Sequence, residues 1–236
     1  MGKKIAIMQP YFFPYLGYFQ LINFVDEFIL YDNIKYTKKG WINRNRILVN
    51  GIDEYITLPL KKDSDYLDVK DRYLSQEWIL FRKKLLNLIK ETYRKAPYFD
   101  VIIPIIEKII MFENSNLFHF ILNSLQQLNS FLEIKDNIFI SSTIPIDSSL
   151  KAEKKIIALC KARSASKYIN PIGGKELYSK EEFNIHGLKL NFLKSNNIIY
   201  SQFNNDFVPS LSIIDVVMFN SRDTIKEYLK SGFNIL

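Results

Sequence analysis

The feature that most constrains this chain is its first stretch, where a short apolar run, Lys4 to Met8, meets a loop with two prolines, Pro10 and Pro14, in Gln9 to Gly17. Proline lacks a backbone N–H and fixes φ, so the pair closes the strand and forbids a helix until Tyr18. From Tyr18 to Val25 the apolar residues Phe19, Leu21, Ile22 and Val25 recur at helical spacing. Phe28 to Tyr31 then forms a continuous apolar run ending at Asp32, the pattern of a strand buried on both faces. Strand, loop, helix and strand in so short a span make a βαβ unit, which commits the chain to a parallel sheet with a right-handed crossover.

The rest of the chain follows from that commitment. Arg46 to Val49 and Tyr55 to Leu58 flank Asn50-Gly51, a hairpin signal, with Ile52 and Asp53 available to lengthen the loop. Glu77 to Tyr93, Ile105 to Phe112 and Leu117 to Leu132 have helical periodicity, the last opened by Asn114-Ser115-Asn116 as cap candidates. Alternation then returns: a strand at Asn137 to Ser141, a helix at Ser149 to Ala162, strands at Lys167 to Ile169 and Leu188 to Leu193, a buried helix at Leu211 to Phe219, and a last helix at Ser221 to Leu229. The expected fold class is α/β, an open, mostly parallel, Rossmann-like sheet covered by helices, with an inserted all-α helical segment. No Gly/Ser linker divides the 236 residues, so 1–236 is expected to form a single α/β domain with 68–134 as a helical insertion or lid subdomain.

Composition narrows the class. Hydrophobic residues at 47% and aromatics at 14% exclude a disordered chain. No apolar stretch reaches the roughly 18 residues of a membrane span; Val101 to Phe112 is broken by Pro104, Glu107 and Lys108. The basic start has too short an apolar run for a signal peptide, and Ala6 stands where myristoylation needs Ser or Thr. With a single cysteine, Cys160, this suits a reducing cytoplasm. The net charge of +7 has no Arg-rich cluster behind it, so the expected partner is an anionic small molecule such as a nucleotide sugar, with no nucleic acid and no transmembrane segment, and the oligomeric state is left open. His119 and His186 form no ligand set with Cys160, so no metal site is expected. There is no Walker loop, no Gly-x-Ser-x-Gly elbow and no Gly-x-Gly-x-x-Gly.

Four segments remain for chemistry. The Gln9 to Tyr18 loop feeds a helix N-terminus at the carboxyl end of a parallel strand, where anions bind; Tyr15, Gly17 and Tyr18 lie in it, and its aromatic rings serve equally to plug the sheet. Tyr31 to Arg46 opens with Asp32 at a strand end and continues with Tyr36, Lys38, Lys39, Trp41, Asn43, Arg44 and Asn45, a mixture of cations for phosphate and amides for hydroxyls, or a solvated charged loop. Tyr168 to Tyr178 joins Asn170 to a Gly173-Gly174 turn, Lys175 and Tyr178. Gln202 stands upstream of Asp215, a carboxylate in an apolar helix for which a backbone cap or a loop lysine is the expected partner. Cys160 is expected in the core.

Met8 to Phe19, Tyr31-Asp32 with Lys38 to Asn45, Tyr168 to Gly174, Tyr178, Phe183, Tyr200, Gln202 and Leu211 to Asp215 resemble, in order and nearly end to end, the WbqC-like family of bacterial proteins. The resemblance implies a place in O-antigen or other surface-polysaccharide biosynthesis. Pro14 to Tyr18 is also similar to the His-x-Gly-His loop of nucleotidylyltransferases and pantothenate synthetases, with Tyr15 and Tyr18 in the histidine places and the spacing from the proline one residue shorter. On these grounds the expected activity is a transferase that N-acylates or aminoacylates a nucleotide-activated amino sugar, with ATP or acyl-CoA as the donor. Asp32 and Lys38 are the expected catalytic pair, Asp32 taking the amine proton, with Gln9, Asn43, Asn45 and Asn170 selecting hydroxyls. A glycosyltransferase using a nucleotide sugar, for which Asp63-Ser64-Asp65 mimics a metal pair, and a noncatalytic binding or scaffold subunit are the competing readings.

Overall fold

The computed structural model describes residues 2–236. Strand β1 (Lys4–Met8) is the pivot of a six-stranded sheet, with helix α1 (Leu16–Phe24) and strand β2 (Glu27–Leu30) completing the N-terminal βαβ unit. The remaining strands of the sheet are β5 (Ile138–Ile140), β6 (Lys167–Pro171), β7 (Lys189–Ser195) and β8 (Phe233–Ile235), in spatial order β5-β2-β1-β6-β7-β8. All neighbours are parallel except β7 and β8. β2 and β5 are added on one side of β1, and β6 and β7 on the other. The strand order therefore reverses between β1 and β6, and their carboxyl ends open a crevice at that switch point.

Alternation across the sheet assigns each side chain to a core. Ile5, Ile7 and Ile29 point to one face, where they meet Ile156, Leu159 and Cys160 of helix α5 (Ala152–Ala162) and Phe183 of the short helix α6 (Lys180–Ile185). Ala6, Phe28 and Leu30 point to the other, against Tyr18, Leu21 and Ile22 of α1. This second core runs on without a break into helices α2 (Trp78–Tyr93), α3 (Phe99–Ile110) and α4 (Leu117–Leu132), and into α7 (Ile213–Phe219) and α8 (Arg222–Ser231). The three inserted helices thus share apolar packing with the sheet.

Several boundaries differ from the sequence reading. α1 begins at Leu16 rather than Tyr18, because Pro14 constrains only its own neighbourhood and Tyr15 serves as an extended N-cap (ψ 165°). The hairpin strands β3 (Arg44–Val49) and β4 (Ile52–Thr57) pair to the very turn, Val49 opposite Ile52, so Ile52 and Asp53 belong to the strand. Asn50 and Gly51 both have positive φ (51° and 83°), as a type I′ turn requires. α3 starts at Phe99, ahead of Pro104, which is accommodated inside the helix. Ile172–Leu177 is a 3-10 helix rather than a simple Gly-Gly turn. α6 and β8 have no counterpart in the sequence reading.

Candidate functional site

The switch-point crevice is a cleft of about 720 Å³. One wall is the loop after β1, with Gln9, Tyr11 and Tyr15; the opposite wall is the end of β6 and its 3-10 helix, with Asn170, Gly173, Gly174 and Tyr178. Tyr31 at the end of β2, Trp41, and Lys194 and Ser195 at the end of β7 complete it.

Each wall is held from behind. Phe12 and Phe13 are fully buried, and Phe13 sits at a positive φ of 43°. Asn45 keeps them there, its Nδ2 donating to the carbonyls of Phe12 (3.1 Å) and Phe13 (2.9 Å). The Phe12 N–H donates to Ile42 O at 3.1 Å, which brings Trp41 beside the loop. Tyr18, fully buried, donates to Gln9 O at 2.8 Å. On the other side Tyr168 donates to Asn170 Oδ1 at 3.1 Å, and a Cβ on Gly174 would come within 2.2 Å of Asn170 Nδ2, so glycine lets the 3-10 helix close on this amide. Gly17 allows a similar approach in the first turn of α1, where a Cβ would meet Ser195 Oγ and the Tyr15 ring at 2.4 Å each.

The electrostatics favour an acceptor-rich ligand. No carboxylate lies among the cleft-lining residues. Burial pushes the Tyr15 and Tyr31 hydroxyls up to about 12 and raises those of Tyr11 and Tyr178, so all four are neutral donors at physiological pH. α1 starts without a side-chain cap, and its first-turn residues Leu16 and Gly17 face a small recess continuous with the cleft through Tyr15 and Ser195. Behind Tyr31, Lys155 Nζ lies 4.8 Å from the ring centroid and donates to Asn33 O at 3.0 Å; burial lowers its pKa. Trp41, 37% exposed, is backed by Tyr55 in a stack of 6.1 Å between centroids, with the Arg44 guanidinium 4.9 Å from the Tyr55 ring.

The pattern of the WbqC-like protein family matches residues 9–227, from Gln9 onward. The chain belongs to the WbqC-like protein family. It is also 28% identical over 232 residues to the uncharacterized protein Rv1507c of Mycobacterium tuberculosis (strain ATCC 25618 / H37Rv), covering 97% of this chain and 98% of that protein. No solved structure matches it.

In this WbqC-like protein the residues picked out from sequence fall into two groups. Gln9, Tyr15, Trp41, Asn170, Gly173, Gly174 and Tyr178 line the cleft, and Gly17 lines the adjoining recess. The others hold structure or face solvent. Asp32 is buried and accepts from Ser141 Oγ (2.7 Å), Ser142 N (2.9 Å) and Ser142 Oγ (2.6 Å), which ties the end of β5 to the end of β2. With both carboxylate oxygens engaged and the side chain outside the cleft wall, Asp32 is placed to position rather than to take a substrate proton. Lys38 is exposed and paired with Asp65 at 2.9 Å, and Lys39 is exposed. Arg44 donates to Gly40 O (3.1 Å) and Lys39 O (2.6 Å), which spends its fork on its own loop. Tyr36 donates to Asn43 Oδ1 at 2.9 Å while Asn43 Nδ2 donates to Leu58 O at 2.9 Å, pinning β3. Gln202 donates to Asp215 at 2.6 Å, and Asp215 has tyrosines and this amide as partners rather than a backbone cap or a lysine. Tyr11, Tyr31, Lys194 and Ser195 are cleft residues that the sequence reading does not single out for binding. The last two were findable as the carboxyl end of a parallel strand.

Proposed function

We propose that this WbqC-like protein is a transferase of surface-polysaccharide biosynthesis that N-acylates or aminoacylates a nucleotide-activated amino sugar bound in the switch-point cleft. The observation that carries the reading is a carboxylate-free cleft at the carboxyl ends of β1 and β6, lined by neutral phenol donors and amides, with the uncapped start of α1 at the adjoining recess. A diphosphate suits the α1 end and Lys194. The amides of Gln9 and Asn170 suit sugar hydroxyls, and the ring of Trp41 suits the flat face of a base or sugar. With an acyl-CoA donor, the sugar amine attacks the thioester carbonyl, the N–C bond forms to give a tetrahedral oxyanion, and its collapse breaks the C–S bond with the departing thiolate taking the amine proton; with ATP, the acyl carboxylate first attacks the α-phosphate and expels pyrophosphate, and the amine then displaces AMP from the adenylate, its proton passing to solvent. The tyrosine hydroxyls are the available donors to the developing oxyanion.

A second reading, a noncatalytic binding subunit, draws support from the same cleft, since no carboxylate or imidazole lines it to act as a base. Glycosyl transfer draws less, because Asp65 is paired with Lys38 in an exposed loop and neither Asp63 nor Asp65 lines the cleft.

Thermal shift against UDP-N-acetylglucosamine and its amino-sugar analogues, ATP and acetyl-CoA tests the reading. A ligand at 100 times its Kd stabilises by about 2.7 kcal/mol, which for a chain of this size raises Tm by roughly 5–10 °C. Gly173 faces open space, where an added Cβ would meet nothing within 4 Å, so Gly173→Trp should fill the cleft without disturbing the fold and abolish the shift. No stabilisation by any of these ligands contradicts the proposal. Binding with no acyl transfer selects the noncatalytic reading.

A further inference from the structure

A pocket of about 460 Å³ lies apart from the cleft, between the first turn of α2, residues 73–76 before it and residues 112–115 after α3. That volume is within the usual range for a small-ligand site, roughly 300–1,000 Å³. Its walls are largely apolar, with Tyr73, Trp78, Ile79 and Phe112. Ile79 and Tyr73 are 60% and 47% exposed, so the apolar surface continues out to the rim.

The polar part of the wall is unusual. Among the described residues, eight buried side-chain polar atoms have no hydrogen-bond partner, and three of them, Ser75 Oγ, Trp78 Nε1 and Arg82 Nε, belong to residues of this pocket. Trp78 itself is only 4% exposed. Indole and guanidinium nitrogens can only donate. Each buried donor left unmet costs about 1–3 kcal/mol; these three atoms have almost no surface open to the pocket, and they leave the structure around it rich in donors and short of acceptors. Two cations, Lys61 and Arg82, stand beside them. Glu113, the one carboxylate among the lining residues, is 86% exposed and stays 3.9 Å from Arg82, beyond hydrogen-bond distance.

We infer that this pocket is a second binding site that takes an anionic amphiphile, a molecule with a phosphate or carboxylate head and a hydrocarbon body. The head meets the cations of Arg82 and Lys61, and the body lies along Trp78, Phe112 and Ile79. The site shares no residue with the switch-point cleft, so it stands or falls independently of what the cleft binds.

The chain has two tryptophans, and the full-length Trp41→Phe protein leaves Trp78 as the only one. Dodecyl phosphate, titrated below its micellar concentration, should change Trp78 emission saturably. Dodecyl maltoside, with the same tail and no charge, and inorganic phosphate, with the charge and no tail, should each bind at least ten-fold more weakly. Arg82→Gln and Lys61→Gln should each weaken dodecyl phosphate several-fold with unchanged melting temperature, two variants so that a folding defect in one leaves the other decisive. Co-sedimentation with phosphatidylglycerol vesicles but not phosphatidylcholine vesicles would identify the source as a lipid headgroup, and its absence a free amphiphile. No saturable response, equal affinity for the maltoside, or unchanged affinity in both variants would overturn the inference.

Discussion

Asp215 lies in α7, where three neutral donors hold it: Tyr93 Oη at 3.0 Å, Tyr200 Oη at 2.7 Å and Gln202 Nε2 at 2.6 Å. Tyr93 Oη in turn accepts from the Leu48 N–H at 3.1 Å, so one carboxylate joins α7, α2 and the β3-β4 hairpin. Asp215→Ala would strand these donors and should cost about 2–4 kcal/mol in a urea melt. Burial raises the Asp215 pKa above its ordinary 3.8, against the lowering effect of its three donors. A raised folded value favours the protonated carboxyl, so its contribution is present below about pH 4 and is lost as pH rises through the folded pKa. Glu27 has the opposite sign. Burial pushes it up, but the bidentate bonds from Arg163 (2.8 Å each) and the Lys3 pair outweigh that and hold it below its ordinary 4.5. Its contribution is present above that value and lost on acidification, so Glu27→Gln should lower Tm at pH 7 and match the unaltered protein as pH falls through the folded pKa. Cys160, with its thiol pushed up to about 12 by burial, should resist alkylation until the protein unfolds.

At the scale of elements, local signals explain where the sequence was readable. α4 is an example: Asn116 caps it by accepting from the His119 N–H at 3.0 Å, and its Nδ2 donates to Lys70 O at 2.6 Å. Asn116→Ala should therefore destabilise by about 1–2 kcal/mol, since both a cap and a tether are lost. The Asn50-Gly51 turn was likewise legible because positive φ at two successive residues has few sequence solutions. α3 was foreshortened because Pro104 reads as a break, yet its missing N–H forfeits only the bond to Asp100. β8 has no local signal in the sequence. β8 has three residues and exists by pairing Phe233 to Ile235 with Leu193 to Ser195, a partnership forty residues away that no local period announces.

For the whole molecule, the first βαβ unit implies a parallel sheet, and the sheet order adds a switch point between β1 and β6. Gln9, Tyr15, Asn170 and Gly174 were legible as residues that line one cleft, because they lie on loops at the carboxyl ends of parallel strands. Asp32, Asn43, Asn45 and Gln202 have the same residue chemistry but are committed to partners such as Ser142, Leu58, Phe13 and Asp215, contacts that only the fold reveals. The net charge of +7 is similarly distributed, with Lys38, Arg46 and Arg163 each paired to a carboxylate away from the cleft. The proposed function requires the switch-point cleft to bind a nucleotide-activated sugar. Photolabelling with a UDP-N-acetylglucosamine carrying an azido group on the base, followed by peptide mapping, tests it most directly. Crosslinks are expected in residues 9–18, 41 and 170–178, removed by excess unlabelled ligand and abolished by Gly173→Trp; crosslinks confined to residues 61–115, or labelling indifferent to that substitution, would rule out binding in the cleft.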